Sequence, residues 1–193
     1  MLMKSYFRTS GFSRDSIITT TTGESIDLQS LAPFLRTLMV MDGTVTKALS
    51  AWFWEPVAVL PSQNKSEVLT DSVVGLEVKN GDAILAREVN LCGDKTQRVF
   101  ASARSIVSLK HLPEELAKPL EKGEMGIGEL LREKGVETYR DIFDINYYPQ
   151  NSTDDALIKC LNSDVIARSY RIRVNSVPAI IVTEFFPIAM YSA

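Results

Sequence analysis

The sequence predicts an α+β protein in which helices near the N-terminus and in later connections pack on an antiparallel sheet of about six strands. Apolar residues recur at helical spacing between residues 28 and 53, whereas β-branched residues and turn-forming pairs dominate from residue 57 onward. Consecutive strands joined by short turns favour an antiparallel sheet. At 193 residues the chain suits one domain. We expect that domain to span residues 28–193, after a flexible N-terminal arm at 1–27.

Two consecutive helices are expected at the start of this domain. The apolar residues that share the first helical face are Leu31, Phe34, Leu35, Leu38 and Met39. With Asp27 and Ser30 as candidate caps, they predict a helix over residues 28–41, which Asp42-Gly43 ends. Thr44 can cap a second helix that continues to Phe53. Trp52 and Trp54 are expected to extend its apolar surface into the core.

The remaining elements follow from strand composition and turn pairs. The predicted strands are residues 57–60, 68–91, 99–106, 137–145, 167–174 and 178–186, and the predicted short helices are residues 113–120 and 128–132. Asn80-Gly81 and Asn175-Ser176 are hairpin signals, and the residues after Gly93 close a further hairpin. Residues 148–155 are expected to be a loop.

Two charged residues interrupt strands that should bury apolar side chains. Because side chains alternate between the two faces of a strand, Arg87 shares its face with Leu85 and Val89. Glu184 likewise shares its face with Ile180, Val182 and Phe186. An isolated ion in such a setting costs on the order of several kcal/mol, so a partner residue or a ligand of opposite charge must compensate it.

A third charge, Arg104, is predicted on the strand that pairs with the Arg87 strand. An even number of residues in the hairpin loop would put Arg87 and Arg104 on the same face, and an odd number on opposite faces. Each arginine could alternatively be a structural ion-pair residue with Glu184 as its partner. Arg168 could be a further pocket residue, because Tyr170 and Ile172 share its face.

Four short blocks of the sequence resemble the chorismate lyase family. They are residues 41–47 (MDGTVTK), 86–94 (AREVNLCGD), 126–131 (GIGELL) and 180–187 (IIVTEFFP). Their order and spacing fit that family from about residue 30 to the C-terminus. Its members convert chorismate to 4-hydroxybenzoate and pyruvate without a metal or organic cofactor. The resemblance therefore implies a chorismate lyase-like fold and a chorismate pyruvate-lyase that supplies a quinone-type aromatic precursor.

The resemblance also implies the residues that bind the substrate, which is a dianion. Arg87 matches the carboxylate-binding arginine of the family, and Arg104 matches an arginine after the same hairpin. Family members have glycine before that arginine, where this chain has Ala103. A guanidinium can hold a carboxylate through two parallel hydrogen bonds, which suits this role.

The other implied site residues are one acid and two apolar side chains. Glu184 matches the acidic residue that contacts the ring hydroxyl, and with Arg87 it is assigned to catalysis. It could orient the ring through a hydrogen bond or act as a proton donor or acceptor. Val45 and Ile127 match apolar positions that contact the ring. Glycines flank both, so the resemblance suggests two loops that close over the ligand as flaps.

Composition excludes several other classes of function. The net charge of −3 argues against a nucleic-acid partner, and no apolar run is long enough for a membrane-inserted helix. Cys92 and Cys160 match no metal-ligand spacing, and His111 is expected at the surface, so no metal site is predicted. Without a secretory signal, the expected location is cytoplasmic, or an organelle stroma if the N-terminus is a targeting remnant.

Two other kinds of protein remain possible from sequence. Effector-binding domains of one large group of transcription regulators share the implied fold, so the chain could sense an aromatic acid without turning it over. The residues before the first predicted helix are too few for a winged-helix DNA-binding domain. A β-barrel that carries a pigment or lipid is the other alternative, although inward charges suit a small dianion better.

Overall fold

A computed structural model describes residues 16–20, 22–123 and 125–192. It confirms the predicted class, because the described residues form a six-stranded antiparallel sheet and five α-helices. The helices are α1 Pro33–Val40, α2 Val45–Phe53, α3 Glu114–Glu121, α4 Ile127–Glu133 and α5 Ala156–Lys159. The strands are β1 Ile17–Thr19, β2 Ser25–Asp27, β3 Val57–Val68, β4 Ala83–Gly93, β5 Val99–Ser108, β6 Thr138–Tyr148, β7 Val165–Val174 and β8 Val177–Pro187.

The large sheet has the strand order β3-β4-β5-β8-β7-β6. The neighbours β5 and β8 are not consecutive in sequence, because the chain leaves β5 through α3 and α4 and enters β6 at the far edge of the sheet. Every other neighbouring pair is consecutive in sequence. The pair Asn175-Ser176 has positive φ angles of 50° and 67° and joins β7 to β8 as a two-residue turn. This is the hairpin geometry that its sequence predicts.

Helices cover both faces of this sheet, and one face is much more heavily covered. The pairs α1-α2 and α3-α4 pack on one face, through two apolar clusters that contain Leu38 and Leu116 respectively. The short helix α5 covers a smaller cluster around Phe185 on the opposite face. The main functional cavity lies on the face with the two helical pairs.

The first helix is shorter than predicted. Residues Leu28–Ser30 form a 3₁₀ turn capped by the Asp27 carboxylate, which accepts a hydrogen bond from the Gln29 amide at 2.9 Å. The α-helix begins only at Pro33. Proline lacks an amide hydrogen and is favoured at the first position of a helix, where that hydrogen would have no helical partner, so Pro33 starts a new helix here. Thr44 occupies the N-cap of α2 without a side-chain capping bond.

The prediction that both tryptophans lie in the core is wrong. Trp54 is 87% exposed and Trp52 is 49% exposed. Trp54 adopts a left-handed conformation that ends α2, which turns its side chain away from the apolar face. Trp52 stacks on Phe34 at the surface, with 4.4 Å between ring centroids.

The strand structure predicted across residues 68–91, with a hairpin turn at Asn80-Gly81, is found in only part of that range. Residues 57–68 form the single strand β3, and β4 begins only at Ala83, opposite Val68. The residues between them form a loop. Asn80-Gly81 makes a tight turn at its base, where the Asp82 amide donates to the Lys79 carbonyl at 3.0 Å. The turn signal was therefore correct, but it does not join two adjacent strand ends.

Part of the predicted N-terminal arm is ordered. Strands β1 and β2 form a small antiparallel sheet, and Ile18 is buried in the core. Both strands lie upstream of residue 28, where the sequence predicts the domain to begin. The first 15 residues of the predicted arm lie outside the described residues. No helix in the described part of the chain is both long and apolar enough to cross a membrane.

A buried carboxylate organises the turn between β4 and β5. Glu55 accepts hydrogen bonds from the Lys95 amide, the Thr96 amide and the Thr96 hydroxyl at 2.8–3.0 Å. Gly93 lies directly against it, because a Cβ at this position would come within 2.6 Å of the Glu55 carboxyl group. Glycine is therefore required at position 93, because any side chain there would collide with the Glu55 carboxyl group.

Gly93→Ala should destabilise the protein by about 2–3 kcal/mol, because the added methyl displaces Glu55 from its three donors. Urea unfolding measures this change. Gly128→Ala is the matched control: its added Cβ would meet Thr44 Cγ2 at an ordinary 3.7 Å. It lies in α4, where alanine should stabilise by about 0.5–1 kcal/mol. Equal effects of the two substitutions would contradict the proposed close approach.

Candidate active site

A cavity of about 390 Å³ lies between the sheet and the two helical pairs. All six strands of the sheet contribute residues, and α2, α4 and the loops before them contribute the rest. Four predicted site residues line it together: Val45, Arg87, Ile127 and Glu184. The volume is within the range for pockets that hold small organic ligands.

Arg87 is a buried cation with only neutral partners among the described residues. It is 3% exposed. Its Nε donates to Asn64 Oδ1 at 3.1 Å, and its Nη2 donates to the Met125 carbonyl at 2.9 Å. Burial lowers the pKa of its guanidinium. The orientation of Arg87 is therefore fixed, while its charge lacks a carboxylate partner in the described part of the chain.

Asn64 supports this arginine from the neighbouring strand. Its amide nitrogen donates to the carbonyls of Leu120 and Glu121 at 3.2 and 2.6 Å, at the end of α3. The amide oxygen is thereby directed at Arg87. The contact connects the arginine on the cavity floor to the helical pair that covers it.

Glu184 belongs to a buried network with two other side chains. Its Oε2 accepts from Arg168 Nε at 2.8 Å, and its Oε1 accepts from the Tyr170 hydroxyl at 2.9 Å. Glu184 is 5% exposed and Arg168 is 1% exposed. Burial raises the pKa of Tyr170, and the Glu184 charge raises it further. Tyr170 therefore stays protonated and donates to the carboxylate.

Arg168 also connects this network to the first helical pair. Its Nη1 donates to the carbonyls of Leu38 and Met41, at the C-terminal end of α1. A cation at that position is favoured by the partial negative charge of a helix C-terminus. The partner of Glu184 is therefore Arg168, and neither Arg87 nor Arg104 takes that role.

The two glycine-containing loops meet over the cavity. A Cβ on Gly128 would lie 3.7 Å from Thr44 Cγ2 and 3.9 Å from Arg140 Nη2. Arg140 Nη1 donates to the Asp42 carbonyl at 2.7 Å. The loops before α2 and α4 thus contact each other and a side chain from the far edge of the sheet.

Arg104 lies on the opposite face of the sheet and does not line this cavity. Five residues separate β4 from β5, and the register places Arg104 opposite Glu88 and Arg87 opposite Ser105. Arg104 Nε donates to Glu88 at 2.7 Å, and its other nitrogens donate to Asp155 at 2.9 and 3.1 Å. The substrate-binding role predicted for Arg104 therefore loses its structural basis.

The structure adds residues that sequence reasoning did not assign to the site. Ala103 lies in the cavity wall opposite Glu184, and Arg140 on β6 enters from the far side. A signal for Arg140 was present, because it shares a strand face with the apolar Ile142. That is the same inward-charge pattern that identified Arg87. Arg168, which the sequence suggests as a further pocket residue, lies opposite Glu184 on the neighbouring strand and is not among the residues that line the cavity.

Comparison with known proteins identifies the family. The family model described as Chorismate pyruvate-lyase Rv2949c-like matches residues 39–193. The chain belongs to this family. A chorismate pyruvate-lyase from Mycobacterium leprae (strain TN) is 26% identical over 172 residues, which cover 83% of this chain and 77% of that protein. The range matched by the family model includes Val45, Arg87, Ile127 and Glu184.

Solved structures with a similar fold include transcription regulators. PhnF from Mycobacterium smegmatis aligns with a TM-score of 0.58 at 13% identity, over 79% of this chain and 67% of that one. The C-terminal domain of the histidine utilization repressor from Pseudomonas syringae pv. tomato aligns with a TM-score of 0.53 at 10% identity, over 71% and 95%. At these identities the likeness concerns the fold alone.

The position of Arg104 leads to a simple expectation. Arg104→Met should lower the unfolding free energy by about 0.5–1 kcal/mol, through the loss of a half-exposed ion pair, and should leave ligand binding in the cavity nearly unchanged. Urea unfolding and calorimetric titration with an aromatic carboxylate test the two parts. A large loss of affinity would show that the opposite face of the sheet contributes to the site.

Proposed function

We propose that this protein is a chorismate lyase that eliminates pyruvate from chorismate to give 4-hydroxybenzoate. Arg87 binds the ring carboxylate, Glu184 accepts a hydrogen bond from the ring hydroxyl, and Val45 and Ile127 contact the ring. Family membership supports this assignment. The product would serve as an aromatic precursor for quinone-type compounds.

The observation that carries this proposal is the buried charge of Arg87. It lines the cavity at 3% exposure without a carboxylate partner in residues 16–20, 22–123 and 125–192. A structural arginine at this depth would normally be paired. A ligand carboxylate supplies the missing charge and can use the guanidinium hydrogens that Asn64 and Met125 leave free.

The network around Glu184 suits an orienting role. Arg168 and Tyr170 each occupy one carboxylate oxygen, and each oxygen retains a further lone pair. The remaining acceptor positions therefore have fixed directions. A ring hydroxyl bound there would hold the substrate in one orientation above the sheet.

The elimination is strongly favourable because its product is aromatic, so holding the substrate in the reactive orientation can supply much of the acceleration. The C4 proton leaves, the electrons of the C4–H bond form the new ring double bond, and the C3–O bond breaks. The enolpyruvyl group departs as the enolate of pyruvate and takes up a proton. Fixed donors and charges around the reactant supply stabilisation without a nucleophile.

The main alternative is a binding module that senses an aromatic acid. The fold likeness to PhnF and to the repressor domain favours it. A sensor would use the same buried arginine to bind a carboxylate without converting the ligand. Turnover of chorismate therefore distinguishes the two functions.

The test is incubation of the purified protein with chorismate, with 4-hydroxybenzoate followed by chromatography and pyruvate by a coupled assay. We expect equimolar formation of both products above the uncatalysed rate. Arg87→Met serves as the inactive control. Tight binding of 4-hydroxybenzoate without turnover would establish the sensor, and the absence of both would exclude both functions.

A further inference from the structure

Arg140 is a second cation of the cavity that lacks a charged partner in the described part of the chain. It extends from β6, where it lies opposite Ile172 of β7, and both residues line the cavity. The one hydrogen bond of its side chain to described residues is that from Nη1 to the Asp42 carbonyl. Its Nε is buried and has no hydrogen-bond partner.

An unpartnered buried nitrogen on a guanidinium is costly. A buried donor left without an acceptor carries its full desolvation cost, and this donor is on a charged group. Arg171 Nε on the same sheet is also buried and unpartnered, but Arg171 is paired with Asp141 at 2.6 Å. Arg140 forms no ion pair with a carboxylate of the described residues, and its side chain lines the cavity.

We infer that Arg140 binds a second carboxylate of the ligand and makes the cavity selective for dicarboxylates over monocarboxylates. This inference rests on the proposed function, because it identifies which residue replaces Arg104 as the second anion-binding group. In chorismate, that second carboxylate is on the enolpyruvyl group that leaves.

The positions of the two arginines fit a ligand with two separated anions. Arg87 is on β4 and Arg140 is on β6, with β5, β8 and β7 between them. Four strand spacings correspond to roughly 19 Å between the two backbones, and both side chains extend into the cavity from its flanks. Glu184 and Tyr170 lie on the strands between them. Across the sheet, the Glu184–Tyr170 hydrogen-bonded pair therefore lies between the two arginines.

Arg140 also contacts the loops that cover the cavity. It holds the Asp42 carbonyl before α2, and Gly128 of α4 lies beside its Nη2. A dianion would thus engage the floor through Arg87 and both loops through Arg140. A monocarboxylate bound at Arg87 would leave Arg140 without an anion.

The test uses two ligands that differ only in this carboxylate: 3-(carboxymethoxy)benzoate and 3-methoxybenzoate. Their affinities are measured by isothermal titration calorimetry with wild-type protein, Arg140→Met, Arg140→Lys and Arg104→Met. Arg104→Met is the matched control, because it makes the same change on the opposite face of the sheet. Thermal unfolding of each variant reports whether it is folded.

We expect wild-type protein and Arg104→Met to bind the dicarboxylate about 10- to 100-fold more tightly than the monocarboxylate. In Arg140→Met that preference should fall to within about threefold, with 3-methoxybenzoate affinity unchanged, and Arg140→Lys should recover part of it. An equal loss for both ligands in both Arg140 variants would make Arg140 structural. An unchanged preference would place the second carboxylate elsewhere.

These readouts do not depend on turnover. A protein that shows the dicarboxylate preference but does not convert chorismate would retain the Arg140 site and lose the proposed lyase function. Conversion of chorismate without the preference would retain the lyase and overturn the role of Arg140. Failure of wild-type protein to bind either ligand would overturn this inference, whatever the result with chorismate.

Discussion

Arg87→Met should lower kcat/KM for chorismate roughly 30- to 5,000-fold, which corresponds to a loss of roughly 2–5 kcal/mol of transition-state stabilisation. The physical reason is that the guanidinium is 3% exposed and has no carboxylate partner in the described residues. Its charge is therefore free to act on a bound carboxylate in a poorly solvated site. Methionine keeps much of the side-chain volume and removes the charge, so the substitution tests the electrostatic contact.

The stability of this variant separates function from structure. Removing an unpaired buried charge is favourable, whereas the loss of the bonds to Asn64 and Met125 is not. We expect these effects to offset each other to within about 1 kcal/mol. 4-Hydroxybenzoate should raise the Tm of wild-type protein and leave that of Arg87→Met unchanged. A variant that retains full kcat/KM would contradict the assigned role, and a loss of stability above about 3 kcal/mol would make Arg87 structural.

Arg168→Met should destabilise the protein by about 3–5 kcal/mol, because it leaves the Glu184 charge buried with only Tyr170 as a partner. The carbonyls of Leu38 and Met41 lose their donor in the same variant. Urea unfolding measures the change. The effect should exceed that of Arg104→Met severalfold, because the Arg104 side chain is 41% exposed.

The double variant tests the cause of this loss. Replacing both members of a buried ion pair with apolar residues of similar size is often neutral or stabilising. Arg168→Met combined with Glu184→Met should therefore recover most of the stability that Arg168→Met alone loses. Additive losses in the double variant would show that the two residues contribute independently, contrary to the 2.8 Å contact between them.

Several features followed from local sequence alone. Hairpin chemistry located the β7-β8 turn at Asn175-Ser176, and helical periodicity located α2 to within a residue. The inward charges at Arg87 and Glu184 were recognisable because a strand alternates its faces, whatever its partners are. Periodicity and turn chemistry act over a few residues, so the sequence was sufficient for them.

The exposure of the tryptophans depended on longer-range geometry. Helical spacing indicates which residues share a face, but it does not say where the helix ends or how much of that face is covered. The left-handed residue Trp54 ends α2 and directs its own side chain into solvent. Only the packing of α2 against the sheet determined which aromatic residues were buried.

The α+β class, the family and four residues that line one cavity could be predicted from the amino-acid sequence. Which charged side chains meet depends on strand register and strand order. Arg104 is directed away from the cavity by the register of one hairpin, Arg168 pairs with Glu184 across β7 and β8, and Arg140 enters the cavity from β6. The physical reason is that a one-residue change in strand register moves every side chain to the other face. Residues more than 40 positions apart in sequence, such as Arg87 and Arg140, come to one cavity only through the strand order.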